Sequence, residues 1–305
     1  MRAATAAVRD ELVQVRAGRA CDRRAELAGL LRSSGSFHVL GAGNYALEAS
    51  SEHPGVARRI YEALQQALGM RGSVFLLEPG RGHPKKRYMV RAEGLSLQRL
   101  VEAGILDERG VPGRGVPRRL VAKRCCAAAY LRGAFLARGS VSDPRRAAHL
   151  EVRASDERDA ADLAAVLTHV GAPSRTRAHR GWAAYCKGTV GIGAALAAMG
   201  AHDAYLAWEA GSVWKTVHVE AARLANADTA NARRLARAAV TQLKAIDELE
   251  QTHGLRALPG ALREVAELRR AYPDASLEEL GRFCGITKAA AADRIRRLVR
   301  MAGSP

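Results

Sequence analysis

The sequence lacks the features of a membrane-spanning, secreted or disulfide-rich protein. Its longest apolar stretch, residues 190–199, is far shorter than the ~20 residues that a membrane-spanning helix needs. Charged residues interrupt the N-terminus before the apolar segment of a signal peptide can form, so we expect a cytoplasmic, nucleoid-associated protein with no membrane partner. The five cysteines include no Cys-x-x-Cys pair and predict reduced thiols. Because adjacent Cys125 and Cys126 are expected to point in different directions on a helix, we predict no zinc or other metal site.

Signatures of enzymes and nucleotide-binding proteins are also missing. The segments Gly41-Ala-Gly43 and Gly188 to Gly193 are rich in glycine, but neither has the strand, glycine loop and helix that bind a phosphate. The nine histidines are scattered, with no spaced pair that indicates a metal or a catalytic triad. We therefore predict no catalytic residue, no cofactor and no small-molecule substrate.

Acidic residues are in the minority. Lys and Arg number 48 against 31 Asp and Glu, which gives a formal net charge of +17 and a pI near 10.4. Such a charge attracts polyanions, nucleic acid first and acidic membrane surfaces second. The alternative is that the arginine content reflects codon bias alone. At 305 residues with 48% apolar residues, the chain is long enough for two domains with separate cores.

Two segments share one pattern of leucine and glycine. Residues 27–35 and 131–139 both have Leu first, Gly third and Gly ninth, and both follow a basic stretch that contains cysteine. The inner glycine allows two helices to approach closely, and the last glycine is typical of a helix C-cap. Each copy is followed by short strands and amphipathic helices, so the pattern helix-strand-strand-helix-strand-strand-helix is predicted twice. The Pro- and Gly-rich segment 111–117 is the predicted linker between the halves.

The C-terminus predicts a helix-turn-helix. Ser276 and Glu279 have the spacing of a capping box that begins one helix. Gly285 is placed where a turn needs positive φ, and Thr287 caps a second helix with Ala291, Ile295 and Leu298 on its core side. The candidate DNA-binding residues are Thr287, Lys288, Ala289, Ala290, Arg294, Arg296, Arg297 and Arg300. The residues at the N-terminal end of the helix, 287–290, would reach base edges, and the later arginines would contact phosphates. The alternative is a helical hairpin with a solvated basic face.

Two further basic clusters lie in the first two thirds of the chain. One is in a loop between strands, and the other lies on or beside a strand. Each either contacts backbone phosphates or is simply solvated. The candidate phosphate contacts are Arg81, Lys85, Lys86, Arg87, Arg175, Arg177 and Arg180.

The repeated frame resembles the LAGLIDADG motif of homing endonucleases in its two-repeat, single-chain form. The resemblance implies that the motif helices pack at a pseudo-two-fold axis, where each presents a carboxylate, at the eighth position, to the catalytic metal ions. Here the eighth positions are Ser34 and Arg138. Neither side chain suits Mg²⁺, so the resemblance implies a retained scaffold with a degenerate metal site.

The whole chain resembles the WhiA family of bacterial sporulation and cell-division regulators, which joins such a scaffold to a C-terminal helix-turn-helix. The matching segments include residues 24–32, 57–61, 125–137, 139–144, 149–151, 200–202, 229–231 and 273–281. The chain departs from the family pattern at Ala222 and Asp228 and in the short turn at residues 284–288, so the family's DNA target is not carried over.

The resemblance implies an α+β fold and a transcriptional regulator of cell-division, chromosome-segregation or sporulation genes that binds double-stranded DNA. The scaffold domain would either add contacts to the DNA backbone or bind another regulatory protein. We expect a degenerate LAGLIDADG-like domain over residues 1–210, with repeats at about 20–105 and 122–205. A helical connector is expected over 211–255 and a helix-turn-helix domain over 256–305. The alternatives are an active homing endonuclease, which Ser34 and Arg138 disfavour, and an RNA-binding, maturase-like protein, which the helix-turn-helix disfavours.

Overall fold

The computed structural model describes residues 2–80 and 84–303. The chain divides into two compact units, Met1–Thr216 and Val217–Pro305, and the first contains the repeated pattern. The first repeat, preceded by helix α1, has the following elements: α1 Arg2–Leu12, α2 Ala20–Ser34, β1 Gly35–Gly41, β2 Asn44–Ser51, α3 Pro54–Leu68, β3 Ser73–Leu77, β4 Arg87–Leu95 and α4 Leu97–Glu102.

The second repeat has the same order. Its elements are α5 Arg118–Val121, α6 Arg124–Arg138, β5 Gly139–Val141, β6 His149–Arg153, α7 Glu157–His169, β7 Ser174–Arg177, β8 Ala183–Lys187 and α8 Thr189–Met199. Each repeat forms an antiparallel four-stranded sheet, in the order β1-β2-β4-β3 in the first and β5-β6-β8-β7 in the second. Strand β5 belongs to the predicted pattern, but its residues were not located in the sequence because only three of them pair. Helix α1 was not predicted. The predicted α+β scaffold of two repeats is confirmed.

The two motif helices, α2 and α6, pack through their inner glycines. A Cβ atom on Gly29 would lie 2.2 Å from the Tyr130 backbone oxygen, and a Cβ on Gly133 would lie 2.2 Å from the Glu26 backbone oxygen. The predicted close approach is therefore confirmed. The last glycines, Gly35 and Gly139, do occupy the C-cap positions, but both have extended backbone rather than the left-handed conformation. Glycine is needed there because a Cβ would collide with the preceding helical turn.

The segment that joins the repeats is held against α2. Arg32 donates hydrogen bonds to the backbone oxygens of Gly104 at 2.8 Å and Gly113 at 2.7 Å, and also to that of Gly115. The core of the first unit extends across both repeats and includes Leu27, Leu131 and the aromatic ring of Phe135.

The second unit is helical throughout its described residues. Its elements are the end of α9 (His202–Thr252), a 3₁₀ turn at Leu255–Ala257, α10 Gly260–Ala271, α11 Leu277–Phe283 and α12 Lys288–Ala302. Helix α9 is continuous across the predicted domain boundary at residue 210, so a division at that residue would cut a helix. The second unit has its own core, in which Ile246, Val265 and Leu298 are buried. Among the described residues, no helix is long and apolar enough to cross a membrane.

Candidate nucleic-acid interface

Helix α11 begins with the predicted capping box. The Ser276 hydroxyl accepts a hydrogen bond from the Glu279 backbone N–H at 3.2 Å, and the Ser276 backbone N–H donates to the Glu279 carboxylate at 2.7 Å. These reciprocal bonds satisfy two backbone donors at the helix start, and they lower the pKa of Glu279 because the backbone N–H of Ser276 stabilises its charged form. The capping box is therefore confirmed.

The turn between α11 and α12 depends on two glycines. Gly285 has φ +66, a left-handed conformation that glycine adopts without steric cost. A Cβ on Gly281 would lie 2.8 Å from the Ile286 backbone oxygen, so the absence of a side chain lets the turn pack against α11. The Thr287 hydroxyl then accepts from the Ala290 backbone N–H at 3.2 Å and caps α12. This threonine hydroxyl is therefore already engaged in capping.

Helix α12 is amphipathic. Ala291, Ile295 and Leu298 are buried, as the spacing predicted. The opposite side exposes Lys288 and Ala289 in the first turn, with Ala290 half-buried beside them. Arg296, Arg297 and Arg300 are exposed further along the helix.

The arginines of α12 do not form one uniform basic face. Arg296 and Arg297 form ion pairs with Asp293 at 3.6 Å and 3.0 Å. Arg294 was predicted with them, but it lies at the side of the helix, where it contacts the Glu264 carboxylate at 3.5 Å and the Ala261 backbone oxygen at 3.4 Å. Both of these partners lie on α10.

The described candidate phosphate contacts of the first basic cluster have partners within the protein. Lys85 contacts Glu52 at 2.8 Å, and Lys86 contacts Glu78 at 3.4 Å. Arg87 donates to the Ser50 hydroxyl. These three predicted phosphate contacts therefore have acceptors of their own, and Arg81 lies outside the described residues.

Of the candidate arginines on and beside the second sheet, Arg177 is paired within the described part of the protein, whereas the other two are not. Arg177 donates to one Glu151 oxygen through Nη2 at 2.6 Å and Nε at 3.1 Å. Burial alone would raise the pKa of Glu151, but hydrogen bonds and charge from His149 and Arg177 lower it overall. Arg175 and Arg180 are exposed and form no ion pair with the described residues.

The degenerate metal positions meet in one place. Ser34 and Arg138 are the last residues of α2 and α6, and both line a polar cavity of about 660 Å³. Three further arginines, Arg9, Arg87 and Arg153, line the same cavity. Its other charged wall residue, Glu52, is the partner of Lys85. Cations thus surround the position at which the LAGLIDADG pattern would require carboxylates for a metal ion.

The prediction that Cys125 and Cys126 diverge was wrong. They lie at the beginning of α6, and their Sγ atoms are 3.8 Å apart. Together with Cys21 and Asp22 at the beginning of α2, they form a group whose donor atoms all lie within 4.8 Å of one another. The expectation of no metal site rested on Cys125 and Cys126 in isolation, whereas the packing of α2 against α6 supplies the other two residues.

Comparison with known proteins covers nearly the whole chain. The WhiA N-terminal LAGLIDADG-like domain matches residues 20–106, the WhiA LAGLIDADG-like domain matches 127–218, and the WhiA C-terminal HTH domain matches 221–302. A relative called Probable cell division protein WhiA, from Acidothermus cellulolyticus, is 39% identical over 306 residues, which cover 98% of this chain and 93% of the relative. A relative of the same name from Desulfitobacterium hafniense is 36% identical over 305 residues, with 98% and 95% covered.

A solved structure has the same fold. The crystal structure of full-length DUF199/WhiA from Thermatoga maritima matches with a TM-score of 0.58 at 23% identity and covers 97% of this chain and 96% of that one. The matched domains occur in the same order as the elements described above, and the identity to full-length relatives extends from the first repeat to α12. The chain therefore belongs to the WhiA family.

Proposed function

We propose that this protein is a sequence-specific, DNA-binding transcriptional regulator of cell-division, chromosome-segregation or sporulation genes, and that it has no nuclease activity. The proposal rests on α12, whose inner face is fixed in the core while its first turn and its later arginines are exposed. In helix-turn-helix proteins the second helix enters the major groove with its N-terminal residues at base edges. The name of the relatives, cell division protein, supports the choice of genes.

The position of each exposed residue along α12 would decide whether it contacts a base or a phosphate. Lys288 would contact a base edge, because it lies in the first turn beside the small side chains of Ala289 and Ala290. Arg296, Arg297 and Arg300 would contact phosphates. Docking would require Asp293 to release Arg296 and Arg297 to the backbone. Since surface ion pairs contribute only about 0–1 kcal/mol, that release costs little.

The test begins with a genome-wide map of bound DNA, from which a preferred duplex and its scrambled counterpart are made. Full-length Lys288→Ala should lose about 1–3 kcal/mol on the preferred duplex only. Arg297→Ala should weaken both duplexes alike and lower the slope of log affinity against log salt by about one.

Arg270→Ala is the matched control, because it removes one exposed arginine of the same unit that is paired with Asp247 on α9. It should leave both affinities within about twofold of the wild type. Equal affinity of the wild type for all duplexes would contradict sequence-specific binding. Equal losses in Lys288→Ala on both duplexes would contradict the role of α12 as the reader. Tighter binding of a structured RNA than of the preferred duplex at the same salt would favour the maturase-like alternative.

The absence of nuclease activity is argued from the cavity at the ends of α2 and α6. Ser34 offers a hydroxyl that already donates to the Leu30 backbone oxygen at 2.8 Å, and Arg138 offers a cation. Full-length protein with Mg²⁺ or Mn²⁺ should therefore leave the preferred duplex and supercoiled plasmid intact. Double-strand cutting that EDTA stops, and that Glu52→Gln abolishes, would refute this, because Glu52 is the carboxylate that lines the cavity.

A further inference from the structure

Three thiols and one carboxylate meet at the other ends of the motif helices. Cys21 and Asp22 lie in the first turn of α2, and Cys125 and Cys126 lie in the first turn of α6. The two pairs occupy equivalent positions in the repeats: Cys125 follows Cys21 by 104 residues, as Arg138 follows Ser34. The cluster therefore lies on the same pseudo-two-fold axis as the degenerate nuclease site, but at the opposite, N-terminal ends of the helices.

The spacing of the donor atoms fits a tetrahedral metal ion. Zinc lies about 2.3 Å from a thiolate sulfur and about 2.0–2.2 Å from a carboxylate oxygen. At a tetrahedral angle these lengths place two sulfurs about 3.8 Å apart and a sulfur and an oxygen about 3.6 Å apart. The Sγ atoms of Cys125 and Cys126 are 3.8 Å apart, and Cys21 Sγ is 3.6 Å from Asp22 Oδ1.

The surroundings favour negative charge on these groups. The N-terminus of an α-helix carries partial positive charge, which stabilises thiolates, and two such ends meet here. The N-cap residues Arg19 and Lys123 do not cap these helices with their side chains. Arg19 instead places Nη1 3.8 Å from Cys125 Sγ. Three thiolates, one carboxylate and Zn²⁺ carry a net charge of −2, which these cations and helix ends would offset.

Burial, followed by hydrogen bonds with Cys21, Asp22 and Cys125, raises the pKa of Cys126. A divalent cation reverses this effect, because a thiol that coordinates zinc is deprotonated and its proton passes to solvent. The cluster is also accessible: Cys126 is buried, whereas Cys21, Asp22 and Cys125 are half-buried.

We propose that Cys21, Asp22, Cys125 and Cys126 bind one zinc ion and so join the two repeats at the beginning of their motif helices. Four protein ligands leave no open coordination position, which is typical of a structural rather than a catalytic zinc site. Its role is to connect α2 to α6 across the 104 residues that separate their ligands, so metal binding stabilises the fold of the first unit.

The first experiment measures metal in the full chain. Protein purified under reducing conditions should contain about one zinc per chain by mass spectrometry of the elements. Loading with Co²⁺ in place of zinc should give the visible spectrum of tetrahedral cobalt together with sulfur-to-cobalt charge transfer. Competition with a chelator should show at least a tenfold loss of Zn²⁺ affinity in Cys125→Ser. Cys284→Ser, which removes a half-buried thiol of the other unit, is the matched control and should bind zinc like the wild type.

A second variant separates ligand loss from misfolding. Asp22→Cys converts the set to four thiolates, so it should keep the metal, and its charge-transfer absorbance should rise by about one third. An octahedral cobalt spectrum, or equal zinc affinity in Cys125→Ser and wild type, would overturn the proposal. A reduced, folded chain that binds less than 0.1 zinc per chain when loaded would also overturn it. Protein purified without reductant could instead have a mass 2 Da lower and contain a Cys21–Cys125 disulfide. If that protein also binds no metal after reduction, the cluster is a redox pair and the proposal is overturned.

Discussion

Glu26 is the centre of a buried ion-pair network that joins three helices of the first unit. Arg59 on α3 donates to both Glu26 oxygens, through Nε at 2.6 Å and Nη2 at 2.9 Å. Arg132 on α6 donates to Glu26 at 2.7 Å and to the Met199 backbone oxygen at 3.1 Å. Glu26 is 1% exposed, Arg59 2% and Arg132 6%. Burial alone would lower the pKa of Arg59, but hydrogen bonds and charge from Glu26, with the charge of Glu62, raise it.

We expect Glu26→Gln to destabilise the first unit by about 3–5 kcal/mol, because Arg132 would remain buried without a counter-charge and Arg59 would keep only the more distant Glu62, at 3.7 Å. The size of the side chain is kept, so the loss cannot come from a cavity. For a unit of roughly 200 residues, this corresponds to a fall of about 6–20 °C in Tm. All three tryptophans, Trp182, Trp208 and Trp214, lie in the first unit, so tryptophan fluorescence during thermal unfolding reports on that unit.

Two further variants separate charge from general damage. Glu78→Gln removes a carboxylate whose pair with Lys86 is exposed and should change stability by less than about 0.5 kcal/mol. The triple variant Glu26→Leu, Arg59→Met and Arg132→Met removes the network as a whole and should be less destabilised than Glu26→Gln. A triple variant less stable than Glu26→Gln, or a Tm of Glu26→Gln within 2 °C of the wild type, would refute the argument that unpaired charge dominates.

Two other perturbations test the helix pair and the capping box. Gly133→Ala should destabilise the first unit by about 1–3 kcal/mol or more, because its Cβ would lie 2.2 Å from the Glu26 backbone oxygen. Gly18→Ala, with no atom within 4 Å of its Cβ, should be nearly neutral, and equal fluorescence midpoints for the two would contradict the close approach. Ser276→Ala should cost about 1 kcal/mol in calorimetric unfolding of the second unit. The pKa of Glu279 is lowered in the folded state. The ionised carboxylate therefore stabilises the second unit fully at pH values above the ordinary glutamate pKa of about 4.3, and this stabilisation is lost as pH falls through the folded pKa. The stability difference between wild type and Glu279→Gln should therefore shrink below pH 4, and a difference that grows there would contradict the sign.

Local signals in the sequence were sufficient for the features that depend on neighbouring residues. The capping box at Ser276, the positive φ at Gly285 and the cap at Thr287 each need only three or four consecutive residues, and all were predicted. Helix α3 is one of the predicted amphipathic helices, because Pro54 begins it and its apolar residues recur at helical spacing. The paired glycines of the motif helices were found because the pattern is repeated.

Features that depend on tertiary packing were not predictable in the same way. Glu26, Arg59 and Arg132 belong to three different helices, and nothing in the sequence spacing indicates that they meet. The direction of Arg294 follows from the position of α10, which the pattern of α12 does not contain. For Cys125 and Cys126, helix geometry alone suggested divergence, whereas at the first turn of α6 the two sulfurs lie side by side. The repeat offset of 104 residues was the available signal, because it relates this pair to Cys21 and Asp22.

The two ends of the motif helix pair follow one electrostatic rule. The C-terminal end of a helix carries partial negative charge, and a cation in the last turn gains about 0.3–1 kcal/mol there. A carboxylate at the same position is unfavourable unless a metal ion compensates it. Without a metal ion, the helix dipole favours Arg138 over an acid at this position. At the N-terminal ends the sign is reversed, and Asp22 and the thiols occupy the positions where negative charge is stabilised. The helix dipoles therefore favour anionic groups at the thiol end and cations at the end that contains Arg138.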